Sequence, residues 1–368
     1  ASPHYRTHPA PKKAETNHQR KFFKYALNYL DREIYLRFRS AMRYRRRIKP
    51  KGAITYFHLM SRTVNGEKWF GLAEKERLRK LIRRVAGFSG IRVITYAVMD
   101  NHFHLLVEVP AERTVSDEEL VRRFELLYPE PTPWQPVSPK TLADLLRKDG
   151  PEGKLLRQRL TARMHDVSWL MKTIKQRFSK AFNAERQRFG PVWSERFKAV
   201  LVEGDLKALR TVAAYIDLNA VRAGKAEDPK DYRFCGYAEA IGGGKAARDG
   251  LRTLDESLAG YRQTLFGAGS APREGKTNLP PERAREVIES EKGELPLHEI
   301  LRLRVRYFTD GFLLGSPEFV QKHAEILRPG RKTPPKPRHL REAAWSGLAV
   351  LNGMRKTAIE DADVVRRR

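Results

Sequence analysis

The segment 91–109 leaves the chain little choice of local structure. Two apolar runs, Ile91 to Met99 and His102 to Val109, are separated only by Asp100-Asn101. That dipeptide tolerates turn geometry, so the segment reads as an antiparallel hairpin. Ala53 to Arg62, with the β-branched and aromatic run ITYFHLM, reads as a strand before it. Between them, Leu78, Leu81, Ile82 and Val85 fall on one helical face, predicting a helix over 74–88 that Gly90 ends. Downstream, a long helix is expected from Val167 to Phe189, bounded by Gly190-Pro191. A strand follows over Phe197 to Glu203, then a helix from Asp205 to Val221 with an acidic first turn and Gly224 beyond its end. The order strand, helix, strand, strand, helix, strand, helix predicts an α+β domain over about 51–240, its helices packed on an antiparallel sheet.

The rest of the chain divides by texture. The Pro-rich stretch Tyr128-Pro-Glu-Pro-Thr-Pro-Trp-Gln-Pro136 interrupts short charged helices, so about 111–165 reads as an insertion. Residues 1–50 form a basic arm with 14 Lys+Arg against 3 Asp+Glu. Its Phe22 to Arg47 stretch reads as a basic helix ending in Arg43-Tyr44-Arg45-Arg46-Arg47. From 241 to 368 the expectation is a helical extension after Gly242-Gly243-Gly244, with a linker near 265–281. A candidate helix–turn–helix lies over 295–327: a helix from Leu297 to Phe308, a turn through 311–315, and a second helix with Ser316 as N-cap and Pro317 at N1.

Charge narrows the partners. The whole chain carries 72 Lys+Arg against 44 Asp+Glu, a formal +28, which suits a polyanion, nucleic acid above all. Aromatics interleaved with the basic arm could stack on bases where phosphates are neutralised. A basic helix lying on a membrane surface is the competing reading of that arm. No apolar stretch approaches the length of a bilayer span, and residues 1–20 hold no run of signal-peptide type. Cys235 is the single cysteine, which excludes an internal disulfide and a cysteine zinc cluster. The expectation is a soluble, reduced, cytoplasmic protein.

Two pairs of residues could carry chemistry. His102 and His104 are i and i+2 of a strand, so they share a face and two imidazoles can converge on one metal ion, while Phe103 faces the other side. Two ligands leave such an ion incomplete, so a third is expected. Tyr215 and Asn219 are i and i+4 on one helical face: a phenol could attack phosphorus while the amide oxygen one turn along holds the ion. Asp217 lies on a different face. Trp193 and Phe197 read as core rather than as base-stacking platforms.

Taken in order, several motifs carry a resemblance. Tyr96-Ala-Val-Met-Asp-Asn-His-Phe-His-Leu-Leu-Val-Glu-Val109 and Tyr215-Ile-Asp-Leu-Asn-Ala-Val-Arg-Ala-Gly224 resemble the REP-associated tyrosine transposases of the single-tyrosine HUH superfamily. His58-Leu-Met-Ser-Arg62, Arg188-Phe-Gly-Pro-Val-Trp-Ser-Glu-Arg-Phe197 and Asp228-Pro-Lys-Asp-Tyr232 share that family's texture. The resemblance covers about 51–240. It implies an HUH-type, ferredoxin-like antiparallel sheet, with His102, His104 and Asn219 as ligands of Mg²⁺ or Mn²⁺. It implies Tyr215 as the nucleophile that forms a 5′-phosphotyrosine link to single-stranded DNA bearing a palindromic hairpin. Ala220 departs from the family, which commonly has proline after the metal-binding asparagine. Arg62, Lys172, Lys175, Arg177, Lys180 and Arg196, with Arg45, Arg46 and Arg47 of the arm, are the candidate DNA contacts; the chain would act as a monomer or a homodimer. A nucleic-acid-binding protein that has lost catalysis, and a metal hydrolase working through activated water, remain alternatives on the residues alone.

Because Lys and Arg contacts release condensed counterions, affinity for hairpin DNA should fall steeply with added salt. Removing residues 1–50 should weaken binding to most sequences alike, since phosphate contacts carry little base information. A salt titration of the full and shortened chains by fluorescence anisotropy checks both, and unchanged affinity would show that the arm faces elsewhere.

Overall fold

The sheet grows outward from the hairpin. Strand β1 (Thr55–Arg62) lies beside the β2–β3 hairpin, made of β2 (Arg92–Val98) and β3 (His102–Val109). The hairpin turn closes with the Met99 N–H donating to the His102 carbonyl at 2.8 Å. Lys75 and Lys225 grip the Asp100 carboxylate at 2.7 and 2.6 Å. The computed structural model describes residues 52–111, 114–133, 135–254, 257–266, 307–327, 338–339 and 347–351. The basic arm, the 265–281 linker beyond Phe266 and most of the expected 297–308 helix lie outside the described residues. The chain divides into two units, one of residues 49–130 and 137–368, the other of residues 1–48 and 131–136. In the described part of the latter, Thr132 and Gln135 form an isolated bridge; all that follows concerns the former.

Strand β4 (Lys198–Val202) pairs antiparallel with β1, and β1 with β3. Three short strands extend the far edge: β5 (Leu313–Gly315), β6 (Arg338–His339) and β7 (Ala349–Leu351). The order is β2-β3-β1-β4-β5-β7-β6. The α+β expectation holds, with one correction: β4 and β5 run parallel, Leu201 beside Leu313, so the sheet is mostly rather than wholly antiparallel. Residues 313–315 are therefore strand where the sequence suggested the turn of a helix–turn–helix. The reason is local: Leu313 and Leu314 are fully buried in the sheet, and an apolar pair this short carries no period to read.

Cross-strand register assigns the two faces. Met60 lies opposite His104 and Arg62 opposite His102, so His58, Met60 and Arg62 share a face with the histidines. Lys198 and Val200, opposite Met60 and His58, join them. The other face carries Phe57, Leu59, Phe103 and Leu105, all buried.

Two helices cover the Phe103 face. Helix α1 (Leu72–Ser89) starts on a capping box, the Gly71 N–H donating to Glu74 at 3.0 Å, and stops at Gly90 in the left-handed region, φ 63°. Between α1 and the second cover helix, the expected insertion folds as α2 (Asp117–Leu127), α3 (Pro139–Arg147) and α4 (Pro151–Thr161). Leu120, Phe124, Leu142, Leu146 and Leu160 are buried, so this segment adds a helical layer of its own. Helix α5 (Val167–Glu185) then starts on the Asp166 carboxylate, which accepts from the Ser168 and Trp169 N–H groups. It ends four residues before Phe189, because Gln187 turns left-handed at φ 47° and Asn183 Nδ2 caps the Gly190 carbonyl at 3.0 Å. Phe70, Phe178 and Trp193 close on Phe103, with ring centroids 5.2 to 5.6 Å apart.

Helix α6 (Leu206–Asp217) lies on the histidine face. It stops short of the expected Val221: Leu218 takes φ −77°, ψ 3°, and a separate turn, α7 (Asn219–Arg222), follows. Then come α8 (Gly236–Ile241), α9 (Lys245–Leu251), α10 (Leu258–Phe266), α11 (Tyr307–Asp310) and α12 (Pro317–Leu327). Ser316 does cap α12, its Oγ accepting from the Phe319 N–H at 3.2 Å, and Glu203 beyond β4 accepts from the Ser316 hydroxyl at 2.9 Å.

The last residue of α6 fixes that helix. Asp217 is fully buried, and its carboxylate accepts from Thr95 Oγ1 of β2 at 2.8 and 2.9 Å, from Tyr261 Oη of α10 at 2.7 Å and from the Tyr237 N–H of α8 at 3.1 Å. Glycine at 236 lets α8 come this close: a Cβ there would stand 2.2 Å from Thr95 Oγ1. Asp217→Ala should strand three buried donors and destabilise the fold by about 3 kcal/mol or more, against about 1 kcal/mol for Tyr261→Phe. Urea denaturation of the two variants measures this; a loss below about 0.5 kcal/mol in Asp217→Ala would show that the carboxylate does not hold the helix.

Candidate active site

Four of the residues singled out from sequence meet on the histidine face. The rings of His102 and His104 are 5.0 Å apart, centroid to centroid, and nearly perpendicular. The Tyr215 ring is 6.1 Å from that of His104. Asn219 hydrogen-bonds through its side chain to His102, so the break at Leu218 does not carry the amide away from the histidines.

Hydrogen bonds fix which imidazole nitrogens are bare. Asn101 Nδ2 donates to the Gly66 carbonyl at 2.6 Å, which turns its Oδ1 toward His102 Nδ1, 2.7 Å away. An amide oxygen only accepts, so His102 Nδ1 carries the proton and Nε2, the nitrogen left to the Asn219 side chain, holds the lone pair. His104 Nδ1 is 2.9 Å from His58 Nε2. Two imidazole lone pairs and an amide oxygen form a donor set that suits a divalent ion. Among the described residues no group of three or more His, Cys, Asp or Glu side chains is arranged to hold a metal, and the Asn219 side-chain amide lies beside His102.

The pocket keeps these rings neutral. Burial lowers His58 to about 4. Burial, then the Arg62 and Arg222 charges, lower His102 to about 4. Burial and the neighbouring His102 and His58 push His104 well below its usual value. A neutral imidazole is the metal-binding form.

Sequence reasoning gave no role to two neighbours. Arg222 stands 4.1 Å over the Tyr215 ring and donates to the Tyr215 main-chain carbonyl at 2.5 Å, at the point where α6 ends. Burial lowers its guanidinium to about 10, and Tyr215 pulls the other way. The signal was the i, i+7 spacing, which returns to the same helical face. His58, 2% exposed, packs against both His104 and Tyr215; only the register of β1 on β3 brings it there. Phe308 of α11 closes the far side, 4.6 Å from the Tyr215 ring.

The candidate DNA contacts separate into two groups. Arg62, exposed, sits opposite His102 and so flanks the histidines, as does Lys198 by register; exposed Arg196 precedes β4. The α5 cations belong to the helix on the Phe103 face. Lys172 lies over Trp169 at 4.6 Å, Lys175 donates to the Glu195 carbonyl at 2.6 Å and Arg177 lies over Tyr128 at 4.8 Å. Lys180 lines a groove between α1 and α5 with Arg77, Lys80 and Arg84. Arg45, Arg46 and Arg47 lie outside the described residues. Phe197 is buried, as expected of core; Trp193 is half-buried, packed on Phe103 and donating from Nε1 to the Lys175 carbonyl at 3.1 Å.

Residues 53–125 match the model of the family described as "Transposase IS200 like". The match takes in β1, α1 and the whole β2–β3 hairpin, hence His58, His102 and His104, and the resemblance read from the motifs holds over that stretch. It ends before Tyr215 and Asn219. Among solved structures, the chain is similar to a REP-associated tyrosine transposase bound to a REP hairpin, at 17% identity, over 54% of this chain and 85% of that one, with a TM-score of 0.34. No curated protein matches. No helix among the described residues is long and apolar enough to cross a membrane.

The desolvated histidines make stability depend on acid. Their folded values lie below the ordinary 6.5, so the unfolded chain takes up protons first, and the stability present above about pH 6.5 is lost as pH falls toward 4. Asp217 acts in the opposite sense: burial raises it from 3.8 to about 6, so between those values the folded chain holds a proton the unfolded chain lacks. Three histidines against one carboxyl leave about two protons of difference, or about 3 kcal/mol per pH unit. Melting temperature should therefore drop between pH 6.5 and 4.5; a flat or rising profile would contradict the neutral state of these histidines.

Proposed function

We propose that this chain is a single-stranded DNA transposase or strand-transfer nuclease that cleaves and rejoins hairpin-bearing DNA through a tyrosine–phosphate link. The observation that carries the reading is the convergence of Tyr215 with two imidazoles beside the Asn219 amide, on the face that also holds Arg62. The family match over the histidine hairpin supports it.

His102, His104 and Asn219 would hold the ion, Mg²⁺ or Mn²⁺, which when bound draws charge from the scissile phosphate. The rest falls to the chain's own groups. Arg62 and Lys198 flank that position and suit the phosphate backbone. Tyr215 supplies the attacking oxygen: its bond to phosphorus forms as the bond from phosphorus to the 3′-oxygen breaks. The phenol loses one proton and the departing 3′-oxygen gains one, leaving a 3′-hydroxyl and a 5′-phosphotyrosine. One ester bond replaces another, so the reverse step can rejoin DNA without a nucleotide cofactor. Arg222, packed against the Tyr215 ring, offsets the negative charge that develops on the phenolic oxygen.

Labelled hairpin DNA incubated with the protein and Mn²⁺ should yield a covalent adduct on a denaturing gel. Tyr215→Phe removes one oxygen and should abolish adduct and cleavage while binding persists. Arg222→Gln should form adduct about 100-fold more slowly, in line with the loss of one charge-stabilising donor, with unchanged affinity. Asn219→Ala should retain activity that rises with added Mn²⁺. Undiminished adduct in Tyr215→Phe would move the chemistry to another residue.

A further inference from the structure

Among the described residues His104, unlike His102, meets no carbonyl or amide that sets its protonation; its Nδ1 meets another imidazole. That neighbour, His58, is itself anchored, with Nδ1 2.8 Å from the Phe308 main-chain oxygen and Nε2 2.9 Å from His104 Nδ1. The two rings lie 5.1 Å apart at an interplanar angle of 26°. A carbonyl oxygen has no proton to give, so the proton of the His58–Phe308 bond sits on His58 Nδ1. In a neutral ring the other nitrogen is then bare and can only accept. His104 must therefore donate from Nδ1, which leaves its own Nε2 as the lone pair.

We infer that His58 is a positioning residue: it relays the constraint of the Phe308 carbonyl to His104 and holds that ring in the Nδ1–H form, with Nε2 free to bind a divalent cation. The relay is a matter of geometry; its use for a cation rests on the function proposed above. Metal-bound imidazoles ordinarily donate their second N–H to a carboxylate, carbonyl or water. Here the carbonyl is reached one ring later. The two candidate ligands thus have separate anchors. His102 is oriented from the hairpin turn through Asn101 and Gly66, and His104 from residue 308, far along the chain. The register supports the role: His58 and His104 share a sheet face on adjacent strands, diagonally displaced by one residue pair, which lets the rings meet edge to edge.

The test needs no DNA. Two-bond ¹⁵N–¹H correlation spectra of the metal-free full chain, labelled at histidine, report which nitrogen of each ring is protonated. Wild type should give the Nδ1–H pattern at His104. His58→Phe removes the acceptor and should shift His104 toward the Nε2–H form. It should also weaken Mn²⁺ binding, read by titration calorimetry, about 10- to 100-fold. His58→Gln can place an amide oxygen toward His104 and should restore both the tautomer and most of the affinity, which a loss of packing alone would not do. An Nε2–H pattern at His104 in wild type, or the same Mn²⁺ affinity in His58→Phe, overturns the inference. If His58→Phe does not fold, the wild-type spectrum and the Gln variant decide. A wild-type chain with the Nδ1–H pattern that binds no Mn²⁺ supports the relay and overturns the metal reading instead.

Discussion

Asp217 holds the histidines and the tyrosine in register. The histidines belong to the sheet and the tyrosine to a helix, and nothing in either element alone fixes the distance between them. A buried carboxylate at the end of α6, gripped by donors from β2, α8 and α10, does. Its desolvation is costly, and the three donors offset that cost only in one arrangement. Tyr215 is two residues upstream, so whatever sets Asp217 sets the phenol over His104. The carboxyl thus acts on geometry without touching a ligand.

Around this anchor the pocket works by exclusion of water. His58 and His104 are buried and His102 and Arg222 half-buried beside them, and desolvation lowers the pKa of all four. Arg222 stays a cation because an arginine starts so high; the histidines become neutral because they do not. The same burial therefore gives opposite charge states to adjacent groups, a fixed positive charge beside the tyrosine and lone pairs beside it. Electrostatic arrangements of this kind act most strongly where solvent cannot reorganise.

Much of this was legible in the sequence, for reasons tied to period. Strand alternation placed His102 and His104 on one face, and a two-residue turn announced the hairpin. The i, i+4 spacing of Tyr215 and Asn219 pointed to a shared site, although the helix between them breaks at Leu218, where the Arg222 guanidinium takes the Tyr215 carbonyl. His58 stayed hidden because its partner is set by register between strands, which no local pattern encodes. The cations of α5 looked equivalent to Arg62 by composition, yet the packing of Phe178 and Trp193 on Phe103 puts that helix on the opposite side of the sheet. Leu313–Gly315 gave no strand signal because three residues hold no alternation, and its partner in β4 lies far upstream.

That parallel pairing of β4 with β5 bears on how the chain is made. An antiparallel hairpin closes as soon as its second strand leaves the ribosome, whereas β4 has to wait for a neighbour that follows only after residue 312. Until then the Lys198–Val202 strand has an unpaired outer edge, open to pairing with any extended segment nearby. Phe308, just ahead of β5, arrives in the same late stretch. The edge of the sheet and the Phe308 wall of the tyrosine pocket are thus completed together, well after Tyr215 has been made, and a nascent chain holds the histidines and the tyrosine before it can shelter them.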